Sequence, residues 1–289
     1  MSQDARSQDD TPFHDAPIVD SHAHIFTRDM PLGASPWHTP DYGFTAEDYL
    51  RTLDEHGVHF GVIAGISIYG HYNDYMLEML RKYKRLRGTV NVPPTTDRYI
   101  LERMKADGIV GVRLQLTRRK ELPDLGGEDY RLLLRRVADL DWHVHVVVEG
   151  QLWPLILQKL EASGAKLVID HFGHPDPQEA ENCAGFQAVL RSVEKGRTWV
   201  KLSAGYRLTW AAHGQTRRDP RALDMARRLA RKLLEHAGPE RLVWGSDCPF
   251  VGHEAAVTYR DALEDFYSWV PDPVVRRRIS ATALKLYFS

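Results

Sequence analysis

Eight short apolar segments recur along the 289-residue chain, and the stretches between them are too long for hairpin turns. Each segment is rich in Val, Ile or Leu and has the length of a β-strand. The segments span residues 18–25, 59–67, 86–92, 109–116, 143–149, 166–173, 199–206 and 241–247. Strands separated in this way need long crossover connections, which parallel sheets use and hairpins do not.

The stretches between the strands carry helix signals. Thr45 can cap the helix in TAEDYLRTLDEHG and Gly57 can end it, while Gly108 ends TTDRYILERMKADG. Pro154 stands in the first turn of a helix that Gly164 ends. The segments EDYRLLLRRVADL and DPRALDMARRLARKLLEHAG have the same helical character. Alternating strands and helices predict an α/β fold, a single (β/α)8 barrel of the TIM type.

A doubly wound open sheet is the alternative architecture. It would be favoured by a phosphate-binding glycine motif, and the sequence contains neither GxGxxG after a strand nor GxxxxGK[ST]. We expect residues 17–289 to form one barrel domain, preceded by a flexible polar tail of residues 1–16.

The composition is that of an ordinary globular protein, with 43% hydrophobic residues, 27% charged residues and a formal net charge of -1. It favours neither a nucleic-acid partner nor a membrane partner. The first residues lack the apolar stretch of a secretory signal, so a cytoplasmic location is expected. Cys183 and Cys248 are too few for a disulfide framework.

Acid and imidazole side chains stand at the ends of three predicted strands. His22 and His24 are two residues apart on the first strand, so strand alternation places them on one face. His171 follows the sixth strand and Asp247 ends the eighth. Each residue alone is typical of a structural role. Because barrels of this kind carry their chemistry at the carboxyl ends of the strands, the recurrence predicts a hydrolytic site.

These residues resemble the amidohydrolase superfamily, which has an HxH on strand one, a His on strand six and an Asp on strand eight. The likeness runs from IVDSHAHIF through LVIDHFGHP and VKLSAGYR to RLVWGSDCP. Within the superfamily, the chain is similar to the lactonase branch that includes 2-pyrone-4,6-dicarboxylate hydrolase. The resemblance implies hydrolysis of a small anionic, carboxylated lactone, with Asp247 activating water. His22, His24 and His171 would stabilise the carbonyl oxygen.

The resemblance also implies substrate-binding residues. Arg113 and Arg119 stand six residues apart in VRLQLTRR, and Arg207 belongs to the SAGYR motif. A guanidinium binds a carboxylate through two parallel hydrogen bonds, which suits these three residues to a carboxylated substrate. Arg118 is expected to form only a surface salt bridge. Two more polar contacts are expected from the loops after the first two strands, Tyr42 and Ser67.

The sequence departs from the metal-dependent amidohydrolases at strand five. Those enzymes usually carry a His at the end of that strand, where this chain has residues 147–149, Val-Val-Glu, and His145 lies earlier. Gln115 on strand four cannot bridge two metals. A metal-free site without a cofactor is therefore the favoured prediction. The alternative is one Zn²⁺ bound by His22, His24, His171 and Asp247.

Other functions stay open. A metal-dependent decarboxylase of an aromatic or muconate-type acid shares the strand-one His pair but generally keeps the strand-five His. A zinc-dependent lactonase acting on a sugar lactone or a muconolactone is a further alternative, although a neutral sugar lactone would not need three arginines. A non-catalytic binding barrel would leave an ionised Asp247 among imidazoles without a role. The sequence does not determine the oligomeric state.

Several neighbouring residues are not expected to take part in the chemistry. Cys248 is not expected to act as a nucleophile, because lactone hydrolysis does not need one. Phe250 stands where the branch usually has a His, which leaves the exact substrate open. His71, His174 and His253 are expected to have structural or solvated roles in loops near the mouth of the barrel.

Overall fold

The computed structural model describes residues 17–209 and 216–289, so the predicted tail of residues 1–16 lies outside the described residues. Eight strands form one parallel sheet in chain order. They are β1 (Val19–Ala23), β2 (Phe60–Ala64), β3 (Leu86–Val90), β4 (Ile109–Gln115), β5 (His143–Val147), β6 (Lys166–Ile169), β7 (Thr198–Leu202) and β8 (Leu242–Trp244).

The sheet closes where the segment after β8 meets β1. The Asp247 N–H donates to the His22 carbonyl at 2.8 Å, and the His24 N–H donates to the Cys248 carbonyl at 2.7 Å. These two bonds join the last strand to the first and leave no open sheet edge there. The predicted (β/α)8 barrel is confirmed, and the open-sheet alternative is excluded.

The α-helices of the described residues connect the strands and cover the barrel. They are α1 (Ala46–Glu55), α2 (Asp74–Lys82), α3 (Arg98–Asp107), α4 (Glu128–Asp139), α5 (Trp153–Glu161), α6 (Ala184–Glu194), α7 (Pro220–Ala237), α8 (Tyr259–Trp269) and α9 (Pro273–Tyr287). None of the helices in residues 17–209 and 216–289 combines the length and apolar character that a membrane crossing needs.

The predicted helix ends agree with the structure. The Thr45 hydroxyl accepts a hydrogen bond from the Asp48 N–H, and the Asp48 carboxylate accepts from Thr45 in return, which forms a capping box. Gly108 follows α3 with a φ of 110°, a conformation that glycine adopts without steric cost. Pro154 stands in the first turn of α5. Local capping chemistry therefore sets where these helices begin and end.

The strands end earlier than predicted, and the chemistry-bearing residues follow them. β6 ends at Ile169 and β8 at Trp244, so His171 and Asp247 lie in the connecting loops. Both have a positive φ, 51° and 67° respectively, which costs a non-glycine residue on the order of 1–3 kcal/mol. The sharp turn at each strand end directs both side chains back over the mouth of the barrel.

Candidate active site

A cavity of about 310 Å³ opens at the carboxyl ends of the strands. His24, His171 and Asp247 line it, and His22 lies beneath them with no exposed surface. The structure thus brings the four predicted catalytic residues together, although they come from three separate parts of the chain. A site at this end of the barrel is where enzymes of this fold carry out their chemistry.

The Asp247 carboxylate is the centre of the cluster. Its Oδ1 lies 3.5 Å from His22 Nε2, 3.5 Å from His24 Nε2 and 3.9 Å from His171 Nε2. His22 Nε2 is buried and has no hydrogen-bond partner among the described residues. Buried polar atoms are nearly always hydrogen-bonded in native proteins. The three imidazoles and Oδ1 therefore surround a place suited to a water molecule or a substrate atom.

The other oxygen of Asp247 is held by the protein. Its Oδ2 accepts hydrogen bonds from the Tyr206 hydroxyl at 2.6 Å and from Arg207 Nε at 2.8 Å. Burial alone would raise the pKa of Asp247, but the Arg207 guanidinium and the neighbouring imidazoles together outweigh it, and the pKa lies well below its usual range. Asp247 is therefore a carboxylate at neutral pH. Arg207, predicted to bind substrate, already has one carboxylate partner within the protein, and it lines the cavity as well.

Each imidazole is oriented through its Nδ1. His24 Nδ1 lies 2.8 Å from the Ala64 carbonyl oxygen, and His171 Nδ1 lies 2.8 Å from Ser203 Oγ. His22 Nδ1 lies 2.9 Å from Lys201 Nζ. Burial lowers the pKa of His171 to about 4 and holds the pKa of His22 well below its usual range. His22 and His171 are therefore neutral near pH 7 and turn their Nε2 atoms towards Asp247.

A second buried carboxylate, Asp170, stands below the cluster. Its Oδ2 accepts a hydrogen bond from Arg113 Nε at 2.9 Å, and its Oδ1 lies 3.1 Å from Lys201 Nζ. Arg113 also donates to the Gly65 carbonyl at 2.8 Å. The resemblance implies that Arg113 binds a substrate carboxylate, and a buried guanidinium needs an anionic partner. The protein itself supplies that partner, although Arg113 still lines the cavity.

The family model described as amidohydrolase matches residues 19–288, which include every strand and the whole cluster. The chain belongs to the amidohydrolase family. Among curated proteins, this amidohydrolase is 26% identical to the 2-pyrone-4,6-dicarboxylate hydrolase of Comamonas testosteroni, over 81% of this chain and 77% of the relative. It is 23% identical to the 4-sulfomuconolactone hydrolase of Rhizobium radiobacter, over 90% of this chain and 86% of the relative.

Solved structures agree with the sequence comparison. One is described as a probable 2-pyrone-4,6-dicarboxylic acid hydrolase from Acinetobacter baumannii with citric acid bound. It shares 32% identity with this amidohydrolase at a TM-score of 0.87, and the alignment covers 93% of this chain and 98% of the other. The predicted membership of the amidohydrolase superfamily, and the likeness to its lactonase branch, are confirmed.

Two neighbouring arginines of the amidohydrolase exchange their predicted places. Arg118, expected at the surface, lines the cavity, and its guanidinium lies 4.2 Å from the centre of the Trp37 ring. Arg119, expected to bind substrate, donates from Nε to the Gln115 carbonyl and is not among the described residues that line the cavity. The order of side chains in a loop does not follow strand alternation, so sequence spacing could not distinguish the two.

The two predicted polar contacts also differ from each other. Ser67 lines the cavity, and its Oγ accepts a hydrogen bond from Trp37 Nε1 at 2.9 Å. Tyr42 is not among the described lining residues, because its hydroxyl donates to Glu254 at 2.7 Å. Ser67 therefore lies where it could contact a substrate, whereas the Tyr42 hydroxyl is hydrogen-bonded to a loop residue outside the lining.

Other residues around the site differ from expectation or complete it. His174 and His253, expected in structural or solvated roles, both line the cavity.

The sequence analysis does not single out Lys201 and Ser203, although their spacing in VKLSAGYR is the i, i+2 pattern that identifies the first histidine pair. Burial raises the pKa of the Cys248 thiol, which is the opposite of what a nucleophilic cysteine requires.

The spacing of the cluster would accommodate one metal ion. His22, His24 and Asp247 each offer a ligand atom, and these atoms lie within 4.8 Å of one another. A neutral imidazole binds a metal through a nitrogen lone pair, however. Lys201 donates to His22 Nδ1, which places the imidazole proton on Nε2 and leaves no lone pair there for a metal. Distance therefore fits three of the four residues of the predicted zinc alternative, His171 not being in this group, and the hydrogen bonding of His22 does not fit it.

Proposed function

We propose that this amidohydrolase hydrolyses a small lactone that carries carboxylate groups, of the 2-pyrone-4,6-dicarboxylate type, without a metal ion. The observation that carries the proposal is the ionised Asp247, whose Oδ1 faces three imidazole Nε2 atoms at the base of a cationic cavity. The proposal assigns this chemistry to a single catalytic domain of residues 17–289.

The charge of the cavity supports an anionic substrate. Among the described residues that line it, Arg113, Arg118 and Arg207 contribute positive charge, and Asp247 contributes the single carboxylate. Arg113 and Arg207 are paired with Asp170 and Asp247, yet both still line the cavity, so the lining carries a net positive charge that complements an anionic substrate. Guanidinium groups also bind carboxylates with defined geometry. A volume of about 310 Å³ suits a small ring compound rather than a polymer.

Asp247 is suited to act as the general base. Its Oδ2 is fixed by Tyr206 and Arg207, which leaves Oδ1 directed at the place where water would bind. On attack, Oδ1 takes the proton of that water as the new C–O bond forms at the lactone carbonyl. A carboxylate of low pKa is a weak base. We infer that a substrate carboxylate bound to Arg207 would weaken the hydrogen bond from Arg207 to Asp247 and so raise the pKa of Asp247.

An imidazole that carries its proton on Nε2 is suited to stabilise the tetrahedral intermediate. A donor held in place before reaction gains most when the carbonyl oxygen becomes an oxyanion. When the intermediate collapses, the ring C–O bond breaks and the ring oxygen leaves. In a pyrone this oxygen leaves as an enolate, which is far more stable than a simple alkoxide. The reaction therefore does not require a metal to activate the leaving group.

The test is hydrolysis of 2-pyrone-4,6-dicarboxylate by purified protein, followed by its ultraviolet absorbance. Metal content is measured on the same sample before and after exhaustive chelation. The matched comparison is glucono-1,5-lactone, a neutral lactone that leaves the arginines without a partner. We expect turnover of the dicarboxylate that survives chelation, and little turnover of the neutral lactone.

Two results would contradict the proposal. A preference for the neutral lactone would remove the assigned role of the arginines. Activity that disappears on chelation and returns with zinc would favour the alternative of a zinc-dependent lactonase. If neither lactone reacts but an aromatic carboxylic acid loses carbon dioxide, the site is that of a decarboxylase.

A further inference from the structure

Lys201 is a fully buried lysine on the inner face of β7. Its Nζ lies 2.9 Å from His22 Nδ1 and 3.1 Å from Asp170 Oδ1. Lys201 has no exposed surface and is not among the described residues that line the cavity. A lysine in this place is costly to bury unless it is paired and hydrogen-bonded. Its two contacts therefore identify what it does.

We propose that Lys201 is a positioning residue that holds His22 in the tautomer protonated on Nε2, so that His22 donates towards Asp247 and cannot act as a zinc ligand. An ammonium group has three donors and no lone pair, so Nδ1 of His22 must accept the hydrogen bond from Lys201. A neutral imidazole that accepts at Nδ1 carries its proton on Nε2. This inference rests on the proposed site but not on the identity of the lactone.

The ion pair with Asp170 keeps Lys201 in the ammonium form. Asp170 is 1% exposed and is flanked by two cations, Lys201 at 3.1 Å and Arg113 at 2.9 Å. Loss of the lysine proton would remove one of these two charges from a buried carboxylate. Burial lowers the pKa of Lys201 to about 8, and the charges of Asp170 and Asp20 oppose that lowering, so the lysine is still an ammonium group near pH 7. A charged Lys201 that donates to a neutral His22 is therefore the protonation state that agrees with these contacts.

The tautomer makes His22 chemically different from His24. His24 directs Nδ1 at the Ala64 carbonyl oxygen, which only accepts, so neutral His24 presents a lone pair on Nε2. His22 presents an N–H to the same Asp247 oxygen. One imidazole can therefore accept a hydrogen bond from the attacking water, and its neighbour can donate to Asp247 or to an oxyanion. A zinc ion would require lone pairs on both.

Removal of Lys201 should convert this arrangement into a better metal site. Asp170 Oδ1 lies 3.6 Å from His22 Nδ1, close enough for a small shift to form a hydrogen bond once the lysine is gone. The carboxylate would accept from Nδ1–H and free the Nε2 lone pair, which is the carboxylate–histidine arrangement of zinc sites. The loss of one positive charge acts in the same direction.

Two measurements test the inference without recording turnover. The first is the ¹⁵N NMR spectrum of protein labelled in the histidine rings, with the His22 signals assigned by their absence from His22→Gln. We expect the proton on Nε2 in the wild type and on Nδ1 in Lys201→Met. The second is zinc affinity by competition with a chromogenic chelator. We expect Lys201→Met to bind zinc roughly 10- to 100-fold more tightly than the wild type.

The matched control is Lys166→Met, which removes another lysine paired with an aspartate, Asp141, outside the site. We expect its zinc affinity to equal that of the wild type. If Lys201→Met does not fold, Lys201→Met combined with Asp170→Asn removes the opposite charge as well and keeps an oxygen near Nδ1. A wild-type His22 protonated on Nδ1, or a zinc affinity that Lys201→Met leaves unchanged, would overturn the inference whether or not the lactone is hydrolysed.

Discussion

Replacement of Asp247 by Asn tests the base directly, because the structure can accommodate the amide. The Asn oxygen can take the place of Oδ2 and accept from the Tyr206 hydroxyl and from Arg207. The amide nitrogen then faces His24 Nε2, which carries a lone pair when its Nδ1 donates to Ala64. The oxygen and one N–H of the new side chain therefore have partners, whereas the other N–H faces the N–H of His22, and we expect the fold to be retained at lower stability.

The expected loss of activity follows from the loss of one proton acceptor. General base catalysis contributes roughly 10²- to 10⁴-fold to a rate, which corresponds to about 3–5 kcal/mol of activation free energy. We expect kcat of Asp247→Asn to fall by that factor. Stability should fall by about 1–3 kcal/mol, because Arg207 exchanges an ionised acceptor for a neutral one. Substrate binding should be kept, since Arg207 becomes more available to a substrate carboxylate.

The assay combines steady-state hydrolysis of the dicarboxylate, substrate binding by calorimetry and unfolding in urea. Asp265→Asn is the control, because Asp265 accepts a hydrogen bond from Arg218 at 2.8 Å in a similar pair outside the cavity. We expect that variant to lose stability but to retain kcat. A kcat of Asp247→Asn within about tenfold of the wild type would refute the base assignment, since removal of a general base costs at least 10²-fold.

Three further outcomes are expected. Arg118→Met should raise KM by roughly 10- to 100-fold, because a charged hydrogen bond to the substrate is lost, and Arg119→Met should change KM far less. If steady-state kinetics show the larger change for Arg119→Met, then Arg119 and not Arg118 binds the substrate. His143 is buried with its pKa lowered to about 4, so the unfolded state binds a proton first and stability falls as the pH drops from 6.5 to 4, by about 3 kcal/mol. Urea titrations should show a smaller loss for His143→Gln, and an equal loss would contradict the assigned pKa. Gly245→Ala places a Cβ 2.6 Å from the Cβ of His22 and should displace the His22 side chain. We expect this displacement to lower kcat by about 100-fold, and a variant with unchanged kcat would show that the position of His22 is not critical.

Much of the architecture could be predicted because it depends on local signals. The eight apolar strands, the Thr45 cap and the Gly108 helix end each involve residues a few positions apart. The pairing of His22 with His24 on one face also follows from strand alternation alone. The carboxyl-end rule for barrels then places Asp247 and His171 in the same site from the sequence alone.

Residues in loops could not be placed by the same reasoning. Tyr42 was expected near the substrate, but its hydroxyl donates to Glu254, 212 positions away in the sequence. Arg118 and Arg119 are adjacent in the sequence, yet only Arg118 is among the described residues that line the cavity. A loop has no fixed period, so the direction of each side chain depends on what the rest of the fold packs against it.

The sequence by itself determined the alternation of strands and helices, the class of fold and which reactive side chains stand at the strand ends. Only the tertiary structure decided the chemical state of those side chains. Lys201 and His22 are 179 positions apart, and Arg113 reaches Asp170 across 57 positions. Local periodicity is encoded by neighbouring residues. The ionisation of a carboxylate and the tautomer of an imidazole are set by charges and hydrogen-bond partners that closure of the barrel brings within about 3 Å.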